Sequence, residues 1–235
     1  MSESRNNPDA PVQGERTAKR IGVLGGTFDP IHLGHLHLAR RSLDFFLLDQ
    51  VHFLVSRRPP HKSPGSITSA YHRFALTAAA LEPFPCFHAS TAELELEGNA
   101  SNYTWDTLQA ICRENHLPPE GLFFIAGGDS FLTVNSWKNY EPLLRTYNFA
   151  FFERPEAEIG QDFSHLSAAI RRRIVDVRSA PGEVPSFSPA VFLLDTGAPS
   201  ISSSEIRKRV SQGEDILPLV PEKVHDYIRK YRLYV

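Results

Sequence analysis

Two histidines three residues apart, His32 and His35, follow a glycine pair in the stretch IGVLGGTFDPIHLGH, Ile21 to His35. Gly25 and Gly26 lack a Cβ, so the backbone can turn sharply there and bring its N–H groups close to an anion, with Thr27 and Phe28 next in line. Pro30 suits the beginning of a helix, whose first N–H groups and dipole also favour phosphate. Imidazoles beside such a cradle fit charge stabilisation in phosphoryl or nucleotidyl transfer. A glycine-rich turn with surface histidines fits the same letters. A metal pair is disfavoured, because no cysteine or third histidine stands at ligand spacing. The GxGxxG fingerprint of dinucleotide binding is absent, which argues against a dehydrogenase.

A second group with chemical potential is ISSSEIRKRV, beginning at Ile201. Ser202 and Glu205 have capping-box spacing, and Ile201 with Ile206 has that of a hydrophobic staple, so a helix starts here. Ser202 and Ser203 then offer hydroxyls and N–H groups at a positive helix end, and Arg207, one turn on, can reach the same anion. A well-capped helix with a basic surface is the plainer alternative. Asp129 follows an apolar run and two glycines, where it could accept hydrogen bonds from ribose hydroxyls or cap a helix. Trp137 could be a stacking platform or a core residue. His61 and Lys62 lie with Arg57 and Arg58 in a proline-restrained loop at the C-terminal end of a strand, where open α/β sheets bind ligands.

The elements that must hold these groups alternate. Strands are expected at the apolar run before Gly25, at Val51–Ser56, Phe87–Glu97, Gly121–Ala126, Asn148–Phe152 and Val191–Leu194. Glu93, Glu95 and Glu97 alternate with Leu94 and Leu96 and read as a solvated strand face. Helical spacing joins Leu36, Ala39, Leu43, Phe46 and Leu47, then Tyr71 to Ala79, then Thr107, Leu108 and Ile111. It also joins Leu166, Ala169, Ile170, Ile174 and Val177, with Arg171 to Arg173 on the wet side, and a last helix begins near Pro221. Five or six strands separated by helices imply an α/β fold, a Rossmann-like doubly wound parallel sheet with a small C-terminal helical segment. The expected divisions are a polar, disordered tail at 1–19, the α/β domain at 20–200, and a segment at 201–235 that completes the site.

Composition narrows the partners. A net charge of only −2 gives no global field for nucleic acid or an anionic membrane surface, so anion binding must be local. No apolar run is long enough to span a bilayer. Cys86 and Cys112 have neither CxxC nor zinc spacing, as for reduced thiols in a cytoplasmic protein. Whether copies of the chain form a homo-oligomer is left open.

GGTFDPIHLGH resembles the signature of the nucleotidylyltransferase superfamily, with His32 to His35 as its T/H-x-G-H element. From about residue 20 onward the chain resembles bacterial nicotinate-mononucleotide adenylyltransferases. The resemblance is carried by PPHK at 59–62, NYTWDTL at 102–108, FIAGGDSFLTVNSW at 124–137, ERP at 153–155, ISSSEIR at 201–207 and LVPEKVHDYI near the end. It implies transfer of AMP from ATP, with Mg²⁺, to nicotinate mononucleotide, giving deamido-NAD and pyrophosphate. By the same resemblance Gly25, Gly26, Thr27 and Phe28 line the nucleotide turn, and His32, His35 and Arg207 hold the triphosphate with support from Ser202 and Ser203. Asp129 meets the adenosine ribose. Tyr103, Thr104 and Trp137 surround the nicotinate ring, and His61, Lys62 and Arg154 lie near the mononucleotide phosphate. No resident metal site is implied. The stretch 156–189 has no clear counterpart. A nicotinamide-preferring or dual-specific enzyme, or a non-catalytic nucleotide sensor on the same fold, would share the phosphate-binding residues.

Overall fold

A computed structural model describes residues 18–57, 67–95, 103–154, 158–178, 189–197 and 201–235. Short, nearly continuous apolar runs form strands buried on both faces, the signature of a parallel sheet covered by helices. They are β1 (Ile21–Gly26), β2 (Gln50–Val55), β3 (Phe87–Ser90), β4 (Leu122–Gly127), β5 (Asn148–Glu153), β6 (Ile174–Asp176) and β7 (Val191–Asp195). All pair in parallel, in the order β3-β2-β1-β4-β5-β7-β6. This is the expected α/β sheet, with one more strand than the sequence shows.

Alternation along the strands feeds two cores. Leu24, Phe53, Val55, Ile125, Phe152 and Phe192 face one side. There they meet α1 (Leu33–Phe45) and α2 (Ala70–Leu81). Val23, Leu54, Phe124, Phe149, Phe151 and Leu193 face the other, against α3 (Thr104–Glu114), α4 (Gly128–Thr133), α5 (Tyr140–Thr146) and α6 (Ala168–Arg171). The last two helices, α7 (Ser203–Ser211) and α8 (Glu222–Tyr231), bury Ile206, Val224 and Ile228 in the first core. Strand order reverses between β1 and β4. Their C-terminal ends therefore open the crevice in which such sheets take ligands.

Three expectations change. The helical pattern from Leu166 to Val177 yields only α6, after which β6 pairs with β7. Ile170 and Ile174 satisfy helical spacing, but the open edge of β7 supplies hydrogen-bond partners that a longer helix would leave unused. The strand expected over Phe87–Glu97 stops at Ser90, and a turn follows. Glu93 is consequently buried rather than solvated, with its carboxylate accepting from the Arg57 N–H at 3.2 Å. Finally, α1 begins three residues beyond Pro30, with His32 as its N-cap.

Candidate active site

β1 delivers its two glycines to the switch point, and close packing explains why they are glycines. A Cβ on Gly25 would stand 2.9 Å from the Phe124 ring, and one on Gly26 would stand 2.7 Å from the ring of Phe28. Phe28 itself adopts a left-handed backbone conformation (φ 49°) and is buried at 1% exposure. Its ring packs on Phe53 and meets His35 edge-on, with centroids 4.9 Å apart. The Phe28 side chain is thus a buried support against the histidine ring.

His32 and His35 sit at the N-cap and third position of α1. Their rings stack with centroids 3.7 Å apart and planes at 24°. The His32 backbone N–H donates to His35 Nδ1 at 3.2 Å, so that nitrogen carries a lone pair and the neutral ring bears its proton on Nε2. Burial, followed by the charge of Arg154, holds His32 down to about 3. Burial, then His32 and Arg154, hold His35 well below its ordinary range. Both rings are therefore neutral donors at neutral pH. His32 Nδ1 is buried without a hydrogen-bond partner. Gly34 makes the stacking feasible, because a Cβ there would lie 3.1 Å from His32 Nδ1 and 3.6 Å from Ile201.

The second chemical group meets the first. Ser202 caps α7 by accepting from the Glu205 N–H at 3.1 Å. Ser203 Oγ donates to the Pro30 carbonyl at 2.9 Å, and Arg207 Nη1 donates to the Asp29 carbonyl at 2.7 Å, across 173 and 178 positions of sequence. Arg207 Nη2 also donates to Ser204 Oγ at 3.2 Å. Two helix N-termini, two imidazoles and a guanidinium thus converge on one end of the sheet. N–H donors, the guanidinium and the positive ends of two helix dipoles meet there, a combination suited to a polyanion.

Across the switch point, Asp129 lies exposed in the first turn of α4, which is capped by Gly127 rather than by Asp129. A Cβ on Gly127 would lie 2.5 Å from Asp129 Oδ1 and 3.1 Å from Arg154 Nη2, so both side chains fold over that glycine. Arg154 is also close enough to depress both histidines. The adjacent Glu153 is turned away: its carboxylate accepts from Arg178 Nη1 at 2.6 Å and from the Ile159 N–H at 2.7 Å. Trp137 is half-buried, edge-on to Phe124 at 6.0 Å, and Phe124 in turn touches the Gly25 turn. Tyr103 precedes α3, Thr104 opens it, and Lys138 Nζ sits 3.7 Å over the Tyr103 ring. His61 and Lys62 lie outside the described residues, as does Asn102 of the NYT segment.

Sequence reasoning missed the frame beneath the turn. Arg73 of α2 is 1% exposed and donates to three carbonyls: Thr27 at 2.7 Å, Thr68 at 2.9 Å and Arg57 at 3.3 Å. It ties the β1 loop to the β2 loop and to the start of α2. Asp29, also 1% exposed, accepts from the Tyr234 hydroxyl at 2.8 Å and from the Thr68 N–H at 3.4 Å. An arginine inside the apolar helical repeat around Phe74 and Ala78 was the available signal, since an unpaired charge is not tolerated on a buried face.

The pattern that defines cytidylyltransferase-like proteins matches residues 23–209. A protein of Clostridium tetani named "Probable nicotinate-nucleotide adenylyltransferase" is 34% identical over 92% of this chain and 99% of its own length. One of Moorella thermoacetica with the same name is 37% identical over 92% of this chain and 91% of its own. Among solved structures, a Plasmodium falciparum nicotinic acid mononucleotide adenylyltransferase complexed with NaAD shares the fold, with a TM-score of 0.65 over 92% of this chain and 97% of that one at 24% identity. A paired-histidine turn and a serine–arginine helix end meeting at the switch point, together with relatives matched over nearly their full length, lead to one assignment: the chain belongs to the cytidylyltransferase-like family and, within it, to the nicotinate-nucleotide adenylyltransferases.

Proposed function

We propose that this protein transfers the adenylyl group of ATP to nicotinate mononucleotide, forming deamido-NAD and releasing pyrophosphate. The observation that carries the reading is the meeting of the His32–His35 pair with Arg207 at the C-terminal end of β1. A phosphate oxygen of the mononucleotide attacks the α-phosphorus, and the bond from that phosphorus to the bridging oxygen of pyrophosphate breaks. The attacking phosphate oxygen is already ionised at neutral pH, so no general base is needed. The barrier lies in aligning two anions and stabilising charge on the leaving group.

The chain's groups divide that work. His35, with its proton on Nε2, donates to the triphosphate, and His32 stacks behind it. Arg207 and the start of α7, with Ser202 and Ser203, hold the leaving pyrophosphate, while Gly25, Gly26 and Thr27 line the turn. Asp129 accepts from the adenosine ribose. Arg154, already beside both histidines, takes the mononucleotide phosphate where it meets the α-phosphate. His61 and Lys62 approach the same phosphate, and Tyr103, Thr104 and Trp137 enclose the nicotinate ring. Mg²⁺ enters as part of the MgATP substrate, neutralising the polyphosphate as such ions do. Among the described residues no cluster of three or more His, Cys, Asp or Glu could hold it independently.

The test is pyrophosphate release with MgATP and either the acid or the amide mononucleotide. Turnover with kcat/KM favouring the acid by tenfold or more is expected. Preference for the amide would reassign the substrate, and release with neither would leave a nucleotide-binding protein without this activity.

A further inference from the structure

The segment after α8 returns beneath the turn that carries the histidines. Tyr234, half-buried and in the left-handed region (φ 68°), donates its hydroxyl to Asp29 Oδ1 at 2.8 Å, across 205 positions of sequence. Burial and the neighbouring carboxylate keep that phenol protonated. The other carboxylate oxygen, Oδ2, lies 4.0 Å from Arg207 Nη1, the nitrogen that donates to the Asp29 carbonyl. Asp29 is thus a buried anion within reach of the cation assigned to the triphosphate. An unscreened carboxylate there competes with substrate for Arg207, because a charge in a poorly solvated site attracts its nearest counter-charge strongly.

We infer that Tyr234 is a positioning residue for nucleotide binding: by donating to Asp29 it weakens that carboxylate's hold on Arg207 and leaves the guanidinium available to MgATP. This rests on the role proposed above for Arg207. The phenol supplies a charge-assisted bond to Oδ1, and Arg73 adds a nearby positive charge whose three carbonyl partners fix it in place. Remove the phenol O–H, and Arg207 becomes the readiest mobile donor for Asp29. The nucleotide must then break that pair before it binds.

The experiment measures MgATP affinity by calorimetry for the full chain and for Tyr234→Phe, Asp29→Asn and the double variant, with thermal unfolding of each. Tyr234→Phe keeps the ring and its packing, and its affinity should fall about tenfold. Asp29→Asn removes the competing charge, so on that background Tyr234→Phe should cost less than about twofold, a non-additivity that a purely structural phenol would not produce. Tyr231→Phe, at an exposed tyrosine near the end of α8, should leave affinity unchanged. An equal loss on both backgrounds, or no loss from Tyr234→Phe, overturns the inference, and so does a wild type that does not bind MgATP. If Tyr234→Phe proves unstable, an unchanged or tighter affinity in Asp29→Asn supports the inference, and a tenfold weaker one refutes it. A wild type that binds MgATP but adenylylates neither mononucleotide would instead defeat the substrate assignment.

Discussion

Gly26→Ala tests how the histidines are held. The added methyl would lie 2.7 Å from Phe28 Cε1 and Cζ and 3.1 Å from Cδ1. Carbon atoms pack at about 3.5–4.0 Å, so the ring must withdraw by about 1 Å. It has little freedom to do so, being 1% exposed and lodged between Phe53 and His35. Retreat therefore displaces His35, and with it the hydrogen bond from the His32 N–H. Overpacking of this kind costs about 1–3 kcal/mol. For a chain of this size that is a fall in Tm of roughly 2–12 °C. A catalytic donor misplaced by about 1 Å lowers turnover about 10²-fold. The assay is kcat for pyrophosphate release at saturating MgATP and nicotinate mononucleotide, with thermal unfolding alongside. Adding Phe28→Leu removes Cε1 and Cζ, the two nearest atoms, so the double variant should recover part of the lost Tm. A Gly26→Ala enzyme within about twofold of wild-type kcat would refute the claim that Phe28 transmits the turn's geometry to His35.

Replacing His35 by Ala removes a preorganised donor and should lower kcat by about 10²–10³ with the fold intact; near-normal turnover would remove His35 from the chemistry. Arg73→Met should cost at least about 3 kcal/mol in denaturant unfolding, since the three carbonyls it serves lose their donor at about 1–3 kcal/mol each. Stability should also fall in mild acid. Burial holds folded His32 to about 3 and His52 to about 4, with His35 also well below its ordinary value, whereas unfolded histidines titrate near 6.5. Below about pH 6.5 the unfolded chain takes up protons that the folded chain refuses. Stability is thus complete above that pH and declines towards pH 3–4, by up to about 1.4 kcal/mol per pH unit for each histidine. Urea midpoints at pH 7.5 and 5.0 measure this, and His52→Gln, remote from the site, should flatten the slope; equal midpoints for the wild type at both pH values would contradict it.

The order of strands and helices was legible because each core strand is an apolar run and each long helix repeats at 3.6 residues, both local properties of the chain. The GGTFDPIHLGH and ISSSEIR stretches were legible for the same reason, since turn chemistry and capping act over a few residues. What failed was also local: Ile174 matched a helical period that the vacant edge of β7 overrode, and Glu93 matched a strand alternation that ended at Ser90. The sequence by itself determined the α/β class and marked the two stretches that carry the chemical groups. Only the tertiary structure decided that Arg207 rests on the Asp29 carbonyl, that Phe28 braces His35 and that the histidines are neutral. It alone placed Arg73 and Tyr234 beneath the turn. Those facts depend on contacts between segments distant in sequence and on the desolvation that packing imposes. Neither leaves a periodic trace in the order of residues.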